Sequence, residues 1–134
     1  MAYINPCTVD LTLCNGLGIY QGADWQLPVK LSERVNCVDT PIDLTDFIGD
    51  CSIKKYAGDD EALVKPLVTI TDPTNGEFTI SLTAQQTSML IAQGRTWKDV
   101  NVCQYDCYMY KELTGERYRV LQGSVEISPA VENE

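Results

Sequence analysis

Runs in which apolar and polar residues alternate recur along the chain, and they predict β-strands. The clearest is DWQLPVKL, residues 24–31, in which every second residue from Trp25 onward is apolar. A period of two is typical of a strand with one face on a core, so we expect a core contribution from Trp25, Leu27, Val29 and Leu31. Pro28 falls on the opposite face. Because proline has no amide hydrogen to donate to a ladder, it predicts an edge strand or a bulge there.

The same period predicts strands elsewhere. TVDLTLC, CSIKKY, PLVTIT and EFTISL each alternate, and the Asp-Pro and Asn-Gly pairs of DPTNG, residues 72–76, predict a hairpin between the last two. The stretch 32–41 lacks the pattern and is predicted to form a loop. Residues 83–94 contain the helix-like piece: Thr83 and Gln86 have the spacing of a capping box, and Gly94 is a candidate end.

Two long strands are predicted in the last third, at VNVCQYDCYMYKE and RYRVLQGSVEIS. The first places two sets of residues on opposite faces: Cys103, Tyr105, Cys107 and Met109 toward the core, and Gln104, Asp106, Tyr108 and Tyr110 away from it. Gly123 interrupts the second strand, which predicts a bulge or a close approach of another backbone segment.

About seven or eight strands with one short helical connector, and no strand–helix alternation, predict an all-β protein. The expected fold is an immunoglobulin-like antiparallel β-sandwich. We expect one domain over residues 1–134, with residues 1–17 as an N-terminal strand or arm used in assembly and residues 130–134 as a polar tail.

The net charge limits the kinds of molecule that the chain is expected to bind. The 134 residues carry a formal net charge of −9, which disfavours both nucleic acid and anionic membranes as partners. The start, MAYINPCTVDLTL, has no basic segment followed by a long apolar run, so we expect no signal peptide and synthesis in the cytoplasm. No run approaches the roughly 18 apolar residues of a membrane helix.

The six cysteines are expected to be mainly buried free thiols, because no secretion signal accompanies them. Cys103 and Cys107 lie on one predicted strand, about 13 Å apart, too far to share a metal or a disulfide. Either one could still pair with another cysteine.

The sequence contains few motifs typical of catalysis or metal binding. The chain has no histidine, no nucleophile elbow and no phosphate loop, so we expect no enzymatic activity, no cofactor and no metal. DPTNGE is better explained by a turn than by a calcium loop. The acidic GDDE, residues 58–61, is expected to be a solvated loop rather than a site for a cation or a basic partner.

Four residues are candidates for an interface: Tyr108, Tyr110, Trp97 and Pro28. Exposed tyrosines are good anchors at protein interfaces, and Tyr108 and Tyr110 share the face turned away from the core. The alternative is that a second sheet or a neighbouring loop covers them. Trp97 lies in the predicted loop GRTWKD, where an indole could also stack on a sugar.

The motifs form an ordered series: YQGADWQLPVKL, PIDLTDF, CSIKK, NGEFTISLTAQQTSML, YDCYMY and TGERYRVLQGSVEISP. From about Gln21 to Pro129 this series resembles the immunoglobulin-like domain at the start of baseplate upper proteins and related tail proteins of tailed bacteriophages. Two parts depart from that family: AQGRTWKDVNVCQYD is longer, and residues 1–17 add a segment with cysteines.

The resemblance implies a non-enzymatic structural protein of a virion, made in the host cytoplasm. It would be a small repeated subunit of the tail or baseplate that docks on other phage structural proteins and on copies of itself. The alternatives are a capsid decoration or cement protein, a protein of the head-to-tail joint, and a carbohydrate- or receptor-binding module.

Overall fold

The computed structural model describes residues 7–90 and 101–130. The described residues form ten strands and one short helix. The strands are Cys7–Thr8 (β1), Ile19–Tyr20 (β2), Trp25–Lys30 (β3), Ser32–Val35 (β4), Val38–Pro41 (β5), Ile48–Lys54 (β6), Leu67–Asp72 (β7), Glu77–Leu82 (β8), Asn101–Tyr110 (β9) and Arg117–Ser128 (β10), and the helix is Ala84–Ser88 (α1). The predicted all-β class is confirmed, and the short helical connector lies between β8 and β9.

Two sheets enclose one core. The larger has the order β1-β10-β9-β6, with β2 also on the outer side of β10, and the smaller has the order β3-β8-β7. The larger is not wholly antiparallel as predicted, because β1 and β2 run parallel to β10. Inward residues of both sheets belong to a single hydrophobic cluster, which includes Trp25, Leu27, Phe78, Ile80, Cys107, Met109 and Val125.

Strand β3 behaves as its alternation predicts. Trp25, Leu27 and Leu31 are at most 8% exposed, and Val29 is half-buried against the same core. Within the described residues β3 pairs only with β8, so it is an edge strand, and Pro28 lies exposed on it opposite Thr79. The prediction of an edge strand at Pro28 is therefore confirmed.

The hairpin predicted between β7 and β8 is also present. A 3₁₀ turn at Pro73–Asn75 joins the two strands, and Gly76 follows it with a φ of 70°, a conformation that glycine adopts without strain.

The stretch 32–41, predicted to form a loop, is a second hairpin made of β4 and β5. Its two-residue turn is Asn36-Cys37, with φ values of 51° and 65°. Positive φ at both central residues is the geometry that matches the strand twist in tight hairpins. The prediction was wrong because β5 is exposed along its whole length, so no alternation of apolar and polar residues marks it.

The N-terminal strand predicted over TVDLTLC is mostly absent. Only β1 is a regular strand, and Leu11 forms a single bridge with Val125 before the chain turns at residues 13–16. Residues 7–20 instead follow β10 as an interrupted parallel strand. Leu11 nevertheless becomes core, at 1% exposure.

Gly123 marks the place where this N-terminal segment passes β10. A β-carbon on Gly123 would lie 2.3 Å from the carbonyl oxygen of Val9. The predicted close backbone approach is therefore confirmed, while the register shift of β10 against β9 lies between Arg119 and Leu121.

The segment leading into β3 is fastened by residues distant in sequence. The carboxylate of Asp24 accepts a hydrogen bond from the backbone N–H of Ala84 at 2.7 Å, at the start of α1. The buried Thr87 hydroxyl donates to the carbonyl of Ala23 at 2.9 Å and accepts from the N–H of Gly22 at 3.0 Å. The predicted capping box between Thr83 and Gln86 is confirmed; the candidate helix end at Gly94 lies outside the described residues.

The cysteines divide into two groups. Cys51, Cys103 and Cys107 are buried, as predicted for free thiols, but Cys7, Cys14 and Cys37 are exposed. The expectation that the thiols are mainly buried is thus wrong for these three, which lie on the short edge strand, in a turn and at a hairpin tip.

Candidate docking face

The outer surface of the larger sheet carries many charged, amide, hydroxyl and tyrosine side chains in the described part of the chain. Strands β6, β9 and β10 turn every second side chain away from the core, and we call this surface the outer face. It carries Asp50, Ser52, Lys54, Gln104, Asp106, Tyr108, Tyr110, Arg117, Arg119, Gln122 and Ser124.

Tyr108 is held between two arginines. The guanidinium carbon of Arg117 lies 4.3 Å from the centre of its ring and that of Arg119 lies 5.3 Å from it. The Nε and Nη2 atoms of Arg119 donate to the Tyr108 hydroxyl at 2.9 and 2.6 Å. The hydrogen bond to Tyr108 raises the pKa of Arg119 above its ordinary value. Cation–π and hydrogen-bond contacts together fix the orientation of these long side chains.

Carboxylates of neighbouring strands hold the same arginines. Asp50 pairs with Lys65 at 2.8 Å and with Arg117 at 3.1 Å. The hydrogen bond from Lys65 is the main reason that the pKa of Asp50 lies below its usual value, and Arg117 acts in the same direction. Asp106 lies 4.0 Å from Arg119. Three cations thus meet two carboxylates, a small local positive excess on a chain whose net charge is −9.

A groove of about 290 Å³ lies on this face, and Arg119, the partner of Tyr108, is one of the residues that line it. Its lining is mostly polar and comes from four neighbouring strands and one loop: Thr8, Ser52, Lys54, Ala57, Gln104, Tyr105, Asp106, Arg119, Gln122 and Gly123. Several of these groups already have hydrogen-bond partners: the Gln122 amide donates to the Thr8 hydroxyl at 3.2 Å, and the Lys54 ammonium donates to the carbonyl of Asp59, outside the groove lining, at 2.8 Å. Such a polar surface can form hydrogen bonds with a partner without leaving an unpaired charge buried in the interface.

The predicted interface residues are separated by the fold. Tyr108 and Tyr110 lie together on the outer face, as predicted, but they are half-buried. Arginine side chains lie over both rings, since Arg117 lies 4.3 Å from the ring centre of Tyr108 and 5.7 Å from that of Tyr110. Pro28 lies on the other sheet and is not brought to this face. Trp97 lies outside the described residues.

The arginines were not among the predicted interface residues, although the sequence contains a signal for them. In RYRV, Arg117 and Arg119 alternate with Tyr118, so both point to one side of a strand. The turn LTGE makes β9 and β10 hairpin neighbours, which places Arg119 opposite Tyr108. Pairing the two predicted strands would therefore have placed both arginines beside the tyrosine.

Over residues 7–90 and 101–130, no three His, Cys, Asp or Glu side chains come together as ligands for a metal ion. In the same part of the chain, none of the helices has the length and apolar character to span a membrane. No protein-family model matches the chain, and a search of curated proteins finds no significant match.

Proposed function

We propose that the chain is a non-enzymatic structural subunit of a tailed-phage virion, a small repeated protein of the tail or baseplate. It docks on neighbouring virion proteins by surface complementarity. The ordered series of motifs from Gln21 to Pro129 supplies the virion context through its resemblance to phage tail domains. The series has a structural role in this chain, because the Gln-Gly-x-Asp motif ties β3 to α1.

Strand order supports the immunoglobulin-like part of this proposal. The smaller sheet runs β3-β8-β7 and the larger contains β10-β9-β6. If β3 is taken as strand B and β6 as strand C, these are the B-E-D and G-F-C orders of immunoglobulin domains. The helix α1 then lies between strands E and F.

The arrangement of Tyr108 between Arg117 and Arg119 is the observation that carries the docking role. Tyrosine and arginine are enriched among the residues that contribute most to binding energy. Their side chains are already ordered by contacts of 2.6–3.1 Å, so less side-chain entropy is lost when a partner covers them. A partner that supplies a carboxylate or a carbonyl group complements the small positive excess of this face.

The experiment is a co-purification of the tagged chain with the virion proteins encoded beside it. We expect the wild-type chain to retain one of them. Arg119→Ala and Tyr108→Ala should weaken retention tenfold or more, as is usual for residues at the centre of an interface. Lys30→Ala is the matched control, because it removes an exposed cation from the other sheet.

Wild-type protein that retains no virion protein would refute the proposal, and equal loss with Lys30→Ala would refute the assignment of the face. A capsid or joint location would use the same face and would be recognised by the identity of the retained partner.

A further inference from the structure

Two buried cysteines from different strands face each other inside the larger sheet. In the antiparallel pairing of β6 with β9, Cys51 is the direct partner of Cys107. Both side chains point into the core, with 2% and 0% exposure. This pair is hidden in the sequence, because Cys51 lies far from Cys107 along the chain.

The spacing of directly opposite residues is close to that of a disulfide. Such residues have Cα atoms about 4.5–5.5 Å apart, within the range of about 4.4–6.8 Å found across disulfides. Their Cβ atoms lie about 4.5–5.5 Å apart, so a closure of roughly 1 Å brings them to bonding distance. The neighbouring Cys107 thiol is the main cause that raises the pKa of Cys51, and burial adds to it.

We propose that Cys51 and Cys107 are a cross-linking site, and that they form a disulfide joining β6 to β9 when the reduced chain meets a low-molecular-weight disulfide. A thiolate of one cysteine attacks glutathione disulfide and forms a mixed disulfide, releasing one glutathione. The second cysteine then attacks the protein sulfur of that intermediate and releases the other. Two protein thiols lose their protons and two electrons, and one glutathione disulfide becomes two glutathione molecules.

Burial determines when the bond can form. With the pKa of Cys51 raised in the folded protein, little thiolate is present there. Cross-linking therefore takes place during folding or local opening of β6. Once formed, the bond lies in the core and is shielded from reductants.

Cys103 provides an internal control. It is also buried on β9, but its partner on β10 is Val125, and it lies about 13 Å along the strand from Cys107. A cross-link that depends on register should exclude Cys103.

The test refolds the full chain from denaturant with oxidised and reduced glutathione. To remove competing exposed thiols, it uses the triple variant Cys7→Ser, Cys14→Ser, Cys37→Ser beside the wild type. Mass spectrometry of unreduced peptides should find the 51–107 cross-link as the main product. The oxidised form should unfold with an equilibrium constant roughly 30- to 1000-fold lower than the same protein in dithiothreitol, as for typical disulfides.

Adding Cys103→Ser should leave the cross-link and the stability gain intact, whereas adding Cys51→Ser should abolish both. Recovery of Cys51 and Cys107 as free thiols from the refolded triple variant, or a main product that contains Cys103, would overturn the proposal. The peptide result needs no further variant, so it decides the question even if Cys51→Ser does not fold.

Discussion

Replacement of Gly123 by alanine tests the contact between β10 and the N-terminal segment. The added methyl group would lie 2.3 Å from the Val9 carbonyl oxygen and 2.9 Å from its carbonyl carbon. Both are backbone atoms, so the clash cannot be relieved by a change of side-chain rotamer. Either the N-terminal segment shifts outward or it leaves the sheet.

The free-energy costs favour an outward shift of the N-terminal segment over its release from the sheet. Release of the segment would forgo three backbone hydrogen bonds: Val9 to Gln122, Leu11 to Ser124, and Glu126 to Leu11. At about 1 kcal/mol each, with about 2 kcal/mol for exposing the Leu11 side chain, the loss reaches about 5 kcal/mol. Regained chain entropy offsets part of it. Strained overpacking costs about 1–3 kcal/mol, which is the loss of stability that we expect for Gly123→Ala.

The assay is urea unfolding under reducing conditions, with hydrogen exchange at the amides of Val9 and Leu11. Gly58→Ala is the matched control, since a β-carbon there meets no atom within 4 Å; we expect it to stay within about 0.5 kcal/mol of the wild type or to gain slightly. Gly123→Ala should also speed exchange at both amides. If Gly123→Ala matched Gly58→Ala in stability and exchange, the close approach would be refuted.

Three further predictions concern other parts of the fold. Thr87→Val should cost about 1–3 kcal/mol in urea unfolding, because it removes the buried hydroxyl that donates to the Ala23 carbonyl and accepts from the Gly22 N–H, at about 0.5–1.5 kcal/mol for each hydrogen bond; an unchanged midpoint would contradict this. Since the folded-state pKa of Asp50 is lowered from 3.8, the stability it contributes is present above that pH and is lost as the pH falls through the folded pKa. Asp50→Asn should therefore lower stability at pH 7 by about 0.5–1 kcal/mol, and the difference should shrink progressively as the pH falls below 3.8; a constant difference would count against the ion pairs with Lys65 and Arg117. In a native thiol titration, the three exposed cysteines should react at once and the three buried ones only after unfolding; six rapid thiols would contradict the burial.

Alternation along single strands was sufficient to predict most of the core. Trp25, Leu27, Phe78 and Ile80 are buried where the period of two places them. The reason is that each of these strands has one face on the core and one in solvent, so burial leaves a local trace in the sequence. Proline added the edge position of β3, for a reason that is equally local.

Features that depend on distant partners left no such trace. Strand β5 is exposed along its whole length, so its sequence shows no apolar alternation. Residues 7–20 run parallel to β10, although most of the chain separates the two segments in sequence. The carboxylate of Asp24 accepts a hydrogen bond from the backbone N–H of Ala84, sixty positions away, which no local pattern indicates. Gly123 predicted a bulge or a close approach of another backbone segment, but the sequence did not indicate which segment would approach it.

The candidate site shows the same division. The alternation placed Tyr108 and Tyr110 on the outer face, but the arginines that orient them come from β10, and Asp50 comes from β6. Sequence patterns give the face of each strand, whereas the composition of the site depends on strand order. The pairing of Cys51 with Cys107 depends on register in the same way, since a shift of one residue would turn one thiol to the opposite face.

If the proposed virion role holds, the chain is encoded in a phage genome, and electron cryomicroscopy of that phage's virions would test the central claim most directly. The account predicts repeated copies of the domain in the tail or baseplate, with Tyr108, Arg117 and Arg119 covered by a neighbouring protein. Particles that lack the chain, or copies whose outer face is open to solvent while another surface makes every contact, would contradict it.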